Sequence, residues 1–206
     1  FTAEKSQIQF KYNQINEKPQ SEYLASIRSS GKTLLELIND ILDLSRIEAG
    51  KLNLEFSPVE LRTIIEEIGS IFVSKIDEKG LKFLTDIPPE FPKMLMIDET
   101  RIRQTLLNLV GNAVKFTHSG SIKISVSFHM HKDKDANDNH NEDKSIEPGP
   151  ETIDLILDVE DTGIGIPDSQ QENIFGAFVQ RTGQSHAVYG GTGLGLAISK
   201  KLVEMM

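Results

Sequence analysis

N-L-V-G-N-A-V-K-F-T, from Asn108 to Thr117, closes a stretch whose spacing predicts a helix over about Thr100 to Lys115, with Asp98 placed to cap it. Ile102, Leu106, Leu109 and Ala113 fall in a narrow arc flanked by Thr105 and Val110, and that arc is the predicted core face. Asn108, Asn112 and Lys115 recur at i, i+4 and i+7, so they share a different face. Carboxamide oxygens suit a hard cation such as Mg²⁺, which prefers oxygen ligands and shares its shell with phosphates and water. A lysine ammonium on the same face can meet phosphate charge. Alone, the pattern fits equally well a helix with two solvated asparagines.

Two further strings follow in order. D-T-G-I-G-I-P, Asp161 to Pro167, comes directly after an alternating apolar run, Ile153, Leu155, Leu157 and Val159. Such a run predicts a strand that carries Asp161 at its end. A carboxylate there can accept a hydrogen bond from an amino group. Gly163 and Gly165 let the backbone turn and approach a flat ring, with Ile164 and Ile166 as an apolar wall. A tight surface turn would use the same residue types. G-G-T-G-L-G-L, Gly190 to Leu196, opens a helix predicted over about Leu194 to Glu204, with Leu194, Ala197, Ile198 and Leu202 inward. Its glycine amides, at Gly191, Gly193 and Gly195, suit phosphate oxygens at a helix start. The spacing is not G-x-G-x-x-G and no strand immediately precedes it, which argues against a dinucleotide fingerprint.

Upstream, residues 21 to 48 read as one long helix with a broad apolar stripe. Ile27, Leu34 and Ile41 stand seven apart, with Leu37 and Leu44 three further on, which suits a helical-bundle seam. Ala49-Gly50 fits a helix stop. Residues 1 to 20 are polar and poorly periodic. Leu52 to Phe56 alternates like a strand. Ser57-Pro58 then reads as the start of a helix through about Lys79, with Glu60 as a capping-box acid and Gly80 as its end. Strands are expected at about 81–87, 121–128 and 153–160. The polar segment from His129 to Thr152, with seven acids against three lysines, reads as a disordered hairpin loop. Its histidines, His129, His131 and His140, match no standard metal spacing. The element order predicts an α+β fold, a two-layer α/β sandwich with helices on one face of a mixed sheet.

The chain has 206 residues, 26% of them charged and 38% hydrophobic, and a net charge of −9. That charge argues against nucleic acid or anionic lipid as a partner. There is no cysteine, so disulfides and thiolate metal sites are excluded. No apolar run approaches the roughly 18 residues that span a bilayer, so direct membrane contact is not expected.

Together the three strings resemble the N, G1 and G2 boxes of the sensor histidine kinases, whose ATP-binding fold is shared with gyrase-type ATPases. The resemblance covers about residues 21 to 206. The string from Ser21 to Leu52 looks like the second helix of the family's dimerisation domain. Two regions are therefore expected: a partial dimerisation hairpin over 1–50 and an ATP-binding catalytic domain over 51–206. By this resemblance Asn112 binds Mg²⁺ with help from Asn108, Lys115 contacts phosphate, and Asp161 reads adenine beside Gly163, Gly165 and Ile166. Gly191, Thr192, Gly193, Leu194 and Gly195 close on the phosphates. The cofactors implied are ATP and Mg²⁺, and the partners a second copy of the chain and a response regulator receiver domain. The region would work in the cytoplasm, whether or not its parent is membrane-anchored. Arg181 to Tyr189 looks like the ATP lid, and Ile174 to Phe178 resembles the F box at its hinge.

The family's phosphoacceptor histidine, normally in an H-E-x-R-T-P-like string, has no match. The five histidines are His118, His129, His131, His140 and His186, all in or after the ATP-binding region. The expectation is that this stretch binds ATP without phosphorylating itself, and that the two final strands with which the family normally continues are missing from it, leaving the sheet incomplete. Two alternatives remain open. A gyrase-type ATPase would need a catalytic glutamate where Asn108 stands, and a carboxamide cannot act as a base. A nucleotide-binding regulatory module without kinase activity would need only the pocket.

Overall fold

The computed structural model describes residues 20–131, 152–179 and 192–206. It divides into two compact units, Phe1–Leu52 and Asn53–Met206. The first contains α1, Gln20–Glu48. This helix ends as its sequence predicts. Gly50 adopts φ 61°, its N–H donates to the Ile47 carbonyl at 3.0 Å, and the Lys51 N–H donates to the Arg46 carbonyl at 2.9 Å. That paired pattern is a Schellman ending.

The second unit holds the mixed sheet and its helices. In chain order these are β1 (Ser57–Val59), α2 (Leu61–Glu78), β2 (Lys82–Asp86), β3 (Leu95–Ile97), α3 (Glu99–Phe116), β4 (Ser121–His131), β5 (Thr152–Asp161), the single turn α4 (Asp168–Gln171) and α5 (Gly195–Met205). β2 pairs parallel with β4, which pairs antiparallel with β5. β1 and β3 form a separate antiparallel pair. Ile122, Ile124 and Val126 project from one face of β4 into a core built with Ile64, Ile65 and Ile68 of α2 and Ile102, Leu106, Val110, Ala113 and Val114 of α3. Leu155, Leu157 and Val159 of β5 pack against it, half-buried. This is the predicted α+β arrangement. Leu109, placed on the core arc by periodicity, is only half-buried, whereas Val110 and Val114 are inside.

Two boundaries differ from expectation for identifiable reasons. Leu52 to Phe56 is not a strand, because the Glu55 N–H donates to the Asp98 carboxylate at 2.9 Å rather than to a neighbouring strand. Ser57 and Pro58 do not open a helix. They pair with Ile97 and Met96, and α2 starts at Leu61 with Glu60 making no side-chain cap. A proline fits this two-stranded edge because no second ladder needs its missing N–H. The C-terminal end of α2 does follow prediction. Gly80, at φ 62°, donates to Asp77, and Leu81 donates to Ile76, both at 3.0 Å.

The polar segment also begins later than its composition implied. β4 continues through His129, Met130 and His131, which pair with Asp154, Ile153 and Thr152. His131 Nε2 lies 2.7 Å from Asp154 Oδ2. Backbone pairing and this cross-strand contact extend the ladder despite the polar side chains. Residues 132–151, with His140, lie outside the described residues, as do 1–19.

Candidate functional site

α3 carries the first motif, and Asp98 starts it. This buried side chain accepts from the Arg101 N–H at 3.0 Å through Oδ1 and from Glu55 through Oδ2. One carboxylate therefore caps the helix and anchors the preceding chain. With the core face fixed by burial, Asn108, Asn112 and Lys115 emerge half-buried on the other side. Asn112 Nδ2 donates to Asn108 Oδ1 at 3.4 Å. Asn108 Nδ2 donates to Ser199 Oγ on α5 at 2.9 Å. The Asn112 Oδ1 takes no hydrogen bond among the described residues.

Lys115 Nζ stands 4.7 Å from the centre of the Phe116 ring. Burial lowers its pKa from the ordinary 10.5, because desolvation disfavours the charged ammonium.

The second motif is docked on the C-terminal end of α3. Asp161, the last residue of β5, accepts from the Gly163 N–H at 2.8 Å and from the Thr117 hydroxyl at 3.4 Å through the same oxygen, Oδ1. Its Oδ2 takes no partner among the described residues. The Ile164 N–H donates to the Phe116 carbonyl at 3.4 Å. A Cβ at Gly163 would stand 2.6 Å from both the Phe116 carbonyl oxygen and Asp161 Oδ1. No larger residue fits there without moving backbone. Gly165 is at φ 63° with no atom within 4 Å of a Cβ position among the described residues, so its face of the turn is open to them. Ile164 and Ile166 are exposed. Thr162 fastens the turn from the other side, since its Oγ1 accepts from the Ser121 N–H at 2.9 Å and donates to the Ser119 carbonyl at 3.1 Å.

The third motif meets the middle of α3. Leu194 is fully buried, and its N–H donates to Thr192 Oγ1 at 3.2 Å. Gly193, at φ 70°, accepts through its carbonyl from the Phe178 N–H at 3.0 Å. A Cβ at Gly195 would collide with the Asn108 carboxamide oxygen. Close approach of α5 to Asn108 therefore requires that glycine. Among the described residues no side chain caps the start of α5. Gly191 and the segment resembling the lid, with His186, lie outside the described residues.

α3 thus touches both glycine-rich motifs, the G2 helix through Asn108 and the G1 turn through Phe116 and Thr117. Sequence reasoning missed Thr117, Thr162 and Ser199, which tie the motifs together. Thr117 was visible as the residue closing the first motif, and Ser199 stands one helical turn beyond Gly195. Among the described residues no group of three or more histidine, aspartate or glutamate side chains converges as a metal centre. Carboxamide oxygen is also a suitable ligand type for Mg²⁺. The open Oδ1 of Asn112 is the right donor type for a cation that keeps most of its shell in phosphate and water. The open Asp161 Oδ2 and the bare Gly165 face likewise fit an amino-bearing planar base.

Residues 97–206 match the family described as Histidine kinase-, DNA gyrase B-, and HSP90-like ATPase. Residues 12–50 match the His Kinase A (phospho-acceptor) domain. Probable histidine kinase 3 of Oryza sativa subsp. japonica is 37% identical over 219 residues, covering 91% of this chain and 21% of the relative. The signal transduction histidine-protein kinase BarA of Escherichia coli K12 is 38% identical over 187 residues, covering 91% of this chain and 18% of its own length. The chain therefore spans only about a fifth of these relatives. Full-length ShkA, solved in complex with AMPPNP, superposes with a TM-score of 0.67 at 30% identity, covering 91% of this chain and 34% of ShkA.

Proposed function

This chain belongs to the histidine kinase-, DNA gyrase B- and HSP90-like ATPase family, and we propose that its three motifs form the Mg·ATP site of a sensor histidine kinase. The observation that carries the assignment is the double contact of α3, with Asn108 against Gly195 and Thr117 bonded to Asp161. Asn112, assisted by Asn108, holds Mg²⁺; Lys115 meets the phosphates; Asp161 accepts from the adenine amino group, with Gly163, Gly165 and Ile166 around the base. Thr192, Gly193, Leu194 and Gly195, with Gly191, present backbone to the triphosphate at the uncapped start of α5. Bound magnesium neutralises phosphate charge and orients the γ-phosphoryl group for in-line transfer.

In the whole protein the γ-phosphoryl group passes to a histidine and then to an aspartate of a response regulator receiver domain. No histidine precedes His118 in these 206 residues, so the stretch by itself takes up no acid-labile phosphate from labelled ATP. The exposed apolar row of α1, including Ile27, Leu34 and Ile41, is covered by a second copy in a helical bundle. The region works in the cytoplasm, where its nucleotide is; no described helix is long and apolar enough to cross a membrane. Gyrase-type hydrolysis is disfavoured, since Asn108 supplies a carboxamide bonded to Ser199 where a general base would be needed.

Calorimetric titration with AMPPNP tests the site. Binding should require Mg²⁺ in the wild type and weaken at least tenfold, about 1.4 kcal/mol, in Asp161→Ala and in Asn112→Ala. Undiminished titration of both variants would refute the assignment.

A further inference from the structure

Lys79 lies outside all three motifs, yet its ammonium ends on the helix that carries the first. The Nζ donates to the carbonyls of Val114 at 2.6 Å, Thr117 at 3.0 Å and Lys115 at 3.2 Å. Every α-helix leaves its last four carbonyls without intrahelical partners. In α3 these belong to Val114, Lys115, Phe116 and the C-cap Thr117. The Ala113 carbonyl still takes the regular helical bond from the Thr117 N–H at 3.0 Å, and Phe116 is met by the Ile164 N–H. Val114 and Lys115 are met by Lys79, which spends its third proton on Thr117. A cation at this end is also favoured by the negative pole of the helix. Lys79 is itself held as the C-terminal cap of α2, with its N–H on the Lys75 carbonyl at 3.3 Å and the Gly80 turn behind it.

We propose that Lys79 is a positioning residue for nucleotide binding, holding the last turn of α3 so that Asn112, Lys115 and the Thr117–Asp161 link keep one geometry. The inference rests on the nucleotide site assigned above. Its physical basis is an imbalance among the contacts that hold the C-terminal end of α3, those to the G1 turn on one side and those to Lys79 on the other. Both direct links, Thr117 to Asp161 and Ile164 to Phe116, are long at 3.4 Å and weak. The charge-assisted contacts at Lys79 are shorter or more numerous, and stronger for being ionic. Without them the carbonyls of Val114, Lys115 and Thr117 lose the lysine, the last turn frays, and the face bearing Asn112 and Lys115 loses its register with Asp161.

The test separates positioning from plain stabilisation by using the opposite end of the same helix. Lys79→Met, Lys79→Arg and Asp98→Ala are compared in the 206-residue chain by fluorescence titration with trinitrophenyl-ATP and Mg²⁺, well below every melting midpoint. Lys79→Met should bind about tenfold more weakly, as loss of a supporting outer contact typically costs, and Lys79→Arg should recover most of it. Asp98→Ala should melt earlier yet bind like the wild type. Wild-type affinity in Lys79→Met, or an equal loss in Asp98→Ala, would overturn the proposal. If Lys79→Met does not fold, Lys79→Gln, which keeps an amide donor, takes its place and should bind between Lys79→Arg and no binding; wild-type affinity there would contradict it. Failure of the wild type to bind the probe at all would instead strike the site assignment itself.

Discussion

α1 and α3 have much the same amphipathic spacing and opposite fates. In α3 the apolar arc is inside, with Leu106 and Val110 at 0% exposure; in α1 Ile27 is 68% exposed and Leu34 59%. Periodicity specifies which residues share a face, but not what covers that face. α3 is covered by the sheet of its own unit, which leaves its polar side to build a site. The apolar row of α1 is exposed among the described residues, and exposed apolar surface on that scale marks an interaction face. In the proposed function, then, one helix would contribute to binding through its polar residues and the other through its apolar ones.

The largest expected effect tests that contrast. Leu106→Ala should lower the stability of the 53–206 unit by about 2–5 kcal/mol, the usual range for emptying a filled core position, as read by urea unfolding. Leu34→Ala should leave that transition where it is and weaken self-association in analytical ultracentrifugation. Equal effects of the two on the unfolding midpoint would erase the distinction between the helices.

A smaller loss is expected at the helix start. Asp98→Ala removes the N-cap and also the acceptor for the Glu55 N–H, and should cost about 1–2 kcal/mol. Proteolysis after Glu55 should become faster as the preceding chain is released. A change below a few tenths of a kcal/mol would mean the carboxylate is dispensable.

The polar side of α3 offers a subtler handle in pH. Burial lowers the Lys115 pKa, so the folded chain gives up this proton at lower pH than the unfolded chain does. Between the lowered value and the ordinary 10.5 the unfolded state binds more protons, and this group's contribution to stability rises with pH. Phosphate binding moves the opposite way, because the ammonium is lost over the same range. Nucleotide affinity should therefore fall on the alkaline side in the wild type and stay level further in Lys115→Arg, whose guanidinium keeps its charge. Parallel pH profiles would remove Lys115 from the phosphate contact.

The long elements were legible because their signals are local. Asp98, Gly50 and Gly80 mark helix ends, and alternation marks β4 and β5. β1 and β3 were not, since each has only three residues and one contains Pro58. The alternation at Leu52 to Phe56 misled because a carboxylate 43 positions away takes the Glu55 N–H. The same holds at the site. The three motifs announce themselves, but the bonds that join them span 44 residues from Thr117 to Asp161 and 91 from Asn108 to Ser199. Separation of that size leaves no periodic trace, and Lys79, 35 residues from Val114, is hidden for the same reason.

The central claim is that the polar face of α3 holds the metal while the turn at its end reads the base. Substituting Mn²⁺ for Mg²⁺ with AMPPNP and following side-chain amide signals by NMR tests it directly. The Asn112 carboxamide should broaden first and most, with the backbone amides of Gly163 and Gly165 shifted by the nucleotide but broadened less. An Asn112 signal that stays sharp while the analogue is bound would contradict the account.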